Sequence, residues 1–192
     1  ADRMMAFDER GRYIEGDQLL MLFAKYLDRK RVVTTVDASM AIEEVAEVRR
    51  TPVGDSFVSE ELLAWGDFGG EASGSWIFPE YSYCPDGVYA AALLCEIASE
   101  WSIAEELDKM PRYTLLRESY RIDAPREIMT ALGADEPTHG VRFEDEEGWY
   151  LIRASGTEPK IRITAEGKTP AKAKEMLDAG HAALERAKRS LE

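Results

Sequence analysis

The 192-residue chain carries 37 acidic against 24 basic side chains, a net charge of −13, with 45% hydrophobic and 32% charged residues. Such a composition excludes wholesale disorder and collagen-like or coiled-coil fibres, and the length allows one large domain or two smaller ones, each with a real core. The acidic balance argues against a general nucleic-acid or anionic-membrane binder but leaves room for a small phosphorylated ligand in a local positive pocket.

In chain order, Met4 to Asp8 reads as a short strand, with Glu9-Arg10-Gly11-Arg12 as a hairpin turn leading to Tyr13-Ile14. Asp17 is placed to cap a helix carrying Leu19, Leu20, Leu22, Phe23, Tyr26 and Leu27. The β-branched run Val32 to Val36 suits a buried strand, and Asp37 or Ser39 can cap the helix after it. Glu47 to Thr51 reads as a strand, Pro52-Val53-Gly54 as a turn, Ser56 to Ala64 as a helix, and Trp65 to Phe68 as a weak strand. This alternation predicts an α/β domain with a mainly parallel sheet in a three-layer arrangement. Ligand loops gather at the carboxyl ends of such strands, so the loops 51–55 and 69–75 are expected to converge on one crevice.

Asp86-Gly87 opens a helix through Leu93 and Ile97, and a shorter helix spans Ser102 to Leu107. The polar stretch from Pro111 to Asp123 reads as a connection between domains. Beyond it, a helix at Pro125 to Leu132 precedes three strand candidates, 140–143, 149–154 and 160–165, and a helix from Pro170 to about Lys188 closes the chain. The second unit is therefore predicted as a smaller α+β domain with an antiparallel sheet. Lys168, Lys172, Lys174, Lys188 and Arg189 describe the solvated face of the last helix, so no nucleic acid is expected as a partner.

No apolar stretch approaches the roughly 20 residues needed to span a bilayer, and no signal peptide is visible, so no membrane partner is expected. Cys84 and Cys95 are the only cysteines and His139 and His181 the only histidines, too few for a zinc site and suited to plain thiols in a reducing cytosol. Cytoplasmic localisation is the corresponding expectation.

The segment Arg153-Ala154-Ser155-Gly156-Thr157-Glu158-Pro159-Lys160-Ile161-Arg162 joins two strand candidates. A glycine lets backbone N–H groups approach an anion, Ser155 and Thr157 add hydroxyls, and Arg153 supplies a planar fork suited to phosphate oxygens. The same residues equally suit a hairpin loop whose hydroxyls bond its own backbone. The glycine spacing is not that of a Walker loop.

This segment closely resembles the phosphate-binding loop of the α-D-phosphohexomutases, the family of phosphoglucomutase, phosphomannomutase and phosphoglucosamine mutase. Gly70-Glu71-Ala72-Ser73-Gly74, followed by Ile77-Phe78 and Asp86-Gly87, resembles that family's sugar-binding loop. Thr51-Pro52-Val53-Gly54-Asp55 resembles a neighbouring loop, and Ala1-Asp2-Arg3 the tail of its metal loop. The resemblance implies interconversion of hexose 1- and 6-phosphates through a phosphoserine enzyme and a bisphosphorylated intermediate, with a phosphoglucosamine or phosphomannose substrate. It implies Glu71, Ser73, Gly54 and Asp55 at the sugar, and Arg153, Ser155, Gly156, Thr157 and Arg162 at the phosphate that is not transferred. It further implies Asp2 as one ligand of Mg²⁺, Arg3 as a catalytic contact to the phosphoryl group, and a glucose- or hexose-bisphosphate activator.

Ser75 departs from the family, where a histidine commonly follows Ser-Gly. The expected layout is residues 1–15 as the remnant of the metal-loop domain, 16–110 as the α/β sugar-binding domain and 111–192 as the α+β phosphate-binding domain. The catalytic serine and the other metal ligands are absent from these residues, so the chain by itself is expected to be inactive, with the missing N-terminal domains and a phosphosugar as partners. A homodimer is compatible with this layout. A non-catalytic phosphosugar-binding module is the alternative reading.

Overall fold

In a computed structural model, which describes residues 2–156 and 158–191, the first 111 residues form one unit and 112–192 a second. The first opens on a hairpin, β1 (Ala6–Phe7) and β2 (Tyr13–Ile14), followed by α1 (Gly16–Tyr26). Then come β3 (Arg31–Thr35), a 3-10 turn at Met40–Glu44, β4 (Glu47–Thr51), α2 (Asp55–Ala64), β5 (Phe68–Glu71) and β6 (Ser75–Ile77). Helices α3 (Gly87–Glu100) and α4 (Ile103–Lys109) complete it.

The sheet order is β4-β3-β5-β6, with β3 parallel to both neighbours and β6 antiparallel to β5. Alternation along the strands divides the core. Val33 and Ile77 meet Val58 and Leu62 of α2 on one face. On the other, Phe23 of α1 packs edge-on against Phe68, Trp76 and Phe78, with ring centroids 6.2, 5.6 and 6.0 Å away. Helices thus cover both faces, as the sequence pattern predicts.

Three local expectations are corrected. The cap of α1 is Glu15, in a reciprocal capping box with Gln18; Asp17 instead accepts from the Ser39 N–H at 2.8 Å. The strand expected at residues 65–68 lies at Phe68–Glu71, because Trp65 still closes α2 by donating its N–H to the Glu61 carbonyl. Gly69 and Gly70, which read as a turn, are strand residues: an added Cβ would lie 2.9 Å from Leu62 Cδ1 or 2.7 Å from Trp76 Cε3. Their absent side chains make room for the neighbours on each face.

The second unit contains β7 (Thr114–Arg121), α5 (Pro125–Ala131), β8 (Val141–Glu144), β9 (Gly148–Ala154), β10 (Lys160–Gly167) and α6 (Pro170–Arg189). Its sheet is antiparallel, in the order β7-β10-β9-β8. Ile152, Ile161, Ile163 and Ala165 form a core with Met176, Leu177 and Leu184 of α6. The expected interdomain connection is corrected too, since most of it is β7. As an edge strand β7 tolerates the charged residues that made it read as a linker.

The β1–β2 hairpin is fixed by the buried Asp8. Its Oδ1 accepts from the Arg10 and Arg12 N–H groups at 2.9 Å each, and its Oδ2 from Arg12 Nε at 2.6 Å. Asp108 of α4 then receives Arg10 Nη1 at 2.8 Å and Arg12 Nη1 at 2.6 Å. Burial alone would raise the Asp8 pKa, but the Arg12 and Arg10 donors outweigh it and hold the carboxyl below its ordinary value. A carboxyl depressed by folding contributes stability that is present above its unfolded value of about 3.9 and lost as pH falls through the lower folded value. Hydrogen exchange should therefore show the Arg10 and Arg12 amides still protected at about pH 4 and losing protection only as pH falls further. Asp8→Ala, which removes the acceptor, should lose that protection already at neutral pH; equal protection in the variant would contradict the assignment.

Candidate functional site

Parallel β3, β4 and β5 end together at Thr35, Thr51 and Glu71, so the segments that leave them share one edge of the sheet. Glu71 is the last residue of β5 and is 7% exposed. Its Oε1 accepts the Gly54 N–H at 2.6 Å, and its Oε2 accepts the Ser73 hydroxyl at 2.9 Å. One carboxylate therefore ties the loop after β4 to the loop after β5, the convergence expected from the sequence. The turn itself is only Ala72 to Gly74, because Ser75 starts a strand the sequence reading did not include.

Two glycines shape this turn. Gly74 has φ 98°, a left-handed conformation that side chains resist, and its carbonyl accepts the Met4 N–H at 3.0 Å. At Gly16 an added Cβ would lie 2.0 Å from the Ala72 carbonyl oxygen, so the start of α1 supports the turn by direct contact. Ser75 is buried, pairs with Glu71 in the β5–β6 ladder and forms an isolated antiparallel bridge with Arg3. A buried strand serine does not present an acid–base group.

Asp2 and Arg3 are thus brought beside the sugar-loop candidate, and both are exposed. Asp55 lies in the first turn of α2, with Gly54 rather than Asp55 at the cap position. Among the described residues no three His, Cys, Asp or Glu side chains cluster as a metal site. Mg²⁺ prefers six oxygens in octahedral array, so the carboxylate of Asp2 does not fit that ion by itself.

In the second unit, the loop between β9 and β10 is closed by its own backbone. The Ser155 N–H donates to the Lys160 carbonyl at 2.9 Å, the Lys160 N–H to the Glu158 carbonyl at 2.8 Å, and the Glu158 N–H to Ser155 Oγ at 3.3 Å. The hydroxyl of Ser155 therefore does have the self-bonding role weighed in the sequence. Lys160 pairs with Glu158, whose carboxyl is held below its ordinary value chiefly by that bond.

Arg153 is half-buried, and among the described residues no hydrogen bond or ion pair engages its guanidinium. Gly156 is exposed, lies outside the left-handed region, and an added Cβ there would meet nothing within 4 Å. Neither backbone conformation nor packing among the described residues demands a glycine there. Arg162 is exposed and sits directly opposite Arg153 in the ladder. Thr157 lies outside the described residues. The sequence reading did not find the Gly54–Glu71 bond or the pairing of residues 3–4 with 74–75, which no spacing rule signals.

The family model described as phosphoglucomutase/phosphomannomutase, alpha/beta/alpha domain III, matches residues 15–113, and that of the C-terminal domain matches residues 114–180. A probable phosphoglucosamine mutase of Methanocella arvoryzae is 47% identical over 181 residues, covering 86% of this chain and 41% of that protein. The phosphoglucosamine mutase of Methanocaldococcus jannaschii is 40% identical over 205 residues, covering 94% and 45%. The chain thus spans less than half the length of these curated relatives.

Among solved structures, a phosphoglucomutase/phosphomannomutase family protein of Burkholderia thailandensis matches with a TM-score of 0.80 at 24% identity, over 97% of this chain and 45% of that one. An Aspergillus fumigatus N-acetylphosphoglucosamine mutase, solved with GlcNAc-6P and magnesium, matches with a TM-score of 0.62 at 18% identity, covering 97% and 47%. These structural likenesses carry the fold.

The Glu71 clamp generates a stability test. Glu71→Ala leaves the Gly54 N–H and the Ser73 hydroxyl without their acceptor and should cost about 1–3 kcal/mol in urea unfolding. Glu71→Gln can still accept from Gly54 and donate to Ser73, so its cost should be about 1 kcal/mol. Equal stability of Glu71→Ala and wild type would contradict the clamp.

Proposed function

Because the chain belongs to the phosphoglucomutase/phosphomannomutase family, we propose that it supplies the substrate-recognition part of a phosphohexomutase acting on phosphoglucosamine. In this reading the first unit recognises hexose hydroxyls and the second holds the phosphate that is not transferred. Glu71 is already oriented by two donors and retains further lone pairs, so its carboxylate accepts from hexose hydroxyls, with Ser73 beside it. Gly54 and Asp55 line the same edge, and Arg3 contacts the phosphoryl group.

The observation that carries the phosphate assignment is Arg153: its planar fork has no protein partner among the described residues and stands beside Ser155 and the unobstructed Gly156. A guanidinium, a hydroxyl and the exposed backbone at Gly156 suit a phosphate monoester. Holding that group fixes the orientation of the hexose, and phosphoryl transfer depends heavily on alignment.

Glucosamine and its phosphates fit the relatives' names, and a bisphosphorylated hexose fits as activator. Residues 1–15, 16–110 and 111–192 are proposed as metal-loop remnant, sugar domain and phosphate domain. The 192 residues contain neither the phosphoserine motif nor a full set of Mg²⁺ ligands, so they bind substrate without turning it over. An assay of the isolated chain for conversion of glucosamine 6-phosphate to the 1-phosphate should detect no turnover, while calorimetry detects binding. Turnover by the chain alone would overturn the division of labour, and absence of binding would overturn the recognition role.

A further inference from the structure

The loop end of the second sheet places cations opposite one another across three adjacent strands. Arg162 of β10 faces Arg153 of β9 on one side and Ser119 of β7 on the other. At the next rung Lys160 faces Arg121. Alternate residues share a face of a sheet, so Arg153, Arg162, Lys160 and Arg121 belong to one face. It is the face opposite the one on which Ile161, Ile163 and Ala165 join the core with α6.

The carboxylate that answers these four cations is Glu158, and it is paired with Lys160. The Glu158 carboxyl is held low first by Lys160 and further by Arg162 and Arg121, so both guanidiniums act on the loop electrostatically. Arg162 and Arg121 are exposed. Two other strand carboxylates share this face among the described residues, both away from the loop: Glu144 of β8 accepts from Arg142 Nε at 2.8 Å, and Glu166, at the far end of β10, accepts from Trp149 Nε1 at 2.7 Å. Like charges directly opposite on a sheet destabilise it, so folding alone gives no reason to set Arg162 against Arg153 and Arg121 against Lys160.

We propose that Arg121 is a third guanidinium of an anion site that begins at Arg153 and continues through Arg162, and that this site selects the dianion of a phosphate monoester. The proposal rests on the phosphate-binding role of the Arg153 loop and adds β7 to it. Strands spaced about 4.8 Å apart set β7 and β9 about 10 Å apart, a gap that long arginine side chains can close onto one phosphate. A phosphate monoester passes from monoanion to dianion near pH 6, and a surplus of fixed positive charge favours the second form.

The test compares wild type with Arg121→Gln, Arg121→Lys, Arg153→Gln and Arg117→Gln, using glucosamine 6-phosphate and inorganic phosphate as probes. Arg117 shares the strand and face of Arg121 but lies about 13 Å along it, opposite Thr164, and serves as the charge-matched control. By calorimetry at pH 8 and low ionic strength, Arg121→Gln should weaken both probes on the order of five- to tenfold, and Arg121→Lys less. The gap should narrow at high salt, and also at pH 5, where the monoanion dominates.

Without ligand Arg121→Gln should melt at or above the wild-type temperature, because it relieves repulsion, yet gain less from added phosphate. A ligand-free loss of stability with unchanged affinity would assign Arg121 a structural role and overturn the proposal. Equal weakening by Arg117→Gln would overturn it in favour of a diffuse field. If Arg153→Gln abolishes binding while Arg121→Gln does not alter it, the loop stands and the extension falls. If wild type binds neither probe, both fall.

Discussion

The first unit depends on one buried carboxylate. Glu71 takes the Gly54 N–H on one oxygen and the Ser73 hydroxyl on the other, so segments leaving two parallel strands are locked in register. A charged acceptor buried in this way is stable because both oxygens have donors, and those bonds also orient it. The supports behind it are steric. Gly16 lets α1 approach the Ala72 carbonyl, and Gly74 allows the left-handed turn that brings its carbonyl to Met4. Under the proposed function, architecture and recognition draw on the same side chain, so a change at position 71 is expected to act on both.

The second unit is organised differently. Its core is one face of an antiparallel sheet closed by α6, while the loop end of the other face accumulates guanidiniums. Under the proposed anion site, that concentration costs stability in the free protein and is offset when an anion arrives. A chain of net charge −13 thus gathers side chains of the opposite sign at one loop, which leaves room for an anionic ligand in the proposed role.

Much of this was legible in the sequence, and the exceptions have physical causes. The β-branched run at Val32 to Val36 and the apolar periodicity of α1 and α6 identify their elements directly, because burial dictates their composition. Strand β7 was hidden because an edge strand exposes much of its length, and Arg117, Glu118 and Arg121 made it look like a linker. Gly69 and Gly70 suggested a turn because their packing role, against Leu62 and Trp76, belongs to the tertiary structure. At the site, the Arg153 segment was legible as chemistry, and its cross-strand partner Arg121 emerged only from the register. Asp17 and Glu15 both suit a helix start, and only the contact to Ser39 separates their roles.

Recognition of a hexose phosphate by these residues is most directly tested by amide NMR titration of the 192-residue chain in the presence of EDTA. Glucosamine 6-phosphate should shift the amides of Gly54, Ser73 and Gly74 together with those of Ser155, Gly156 and Glu158. Inorganic phosphate should shift only the second group. Perturbations confined to other surfaces, or no saturable shift with either compound, would contradict the assignment of both loops.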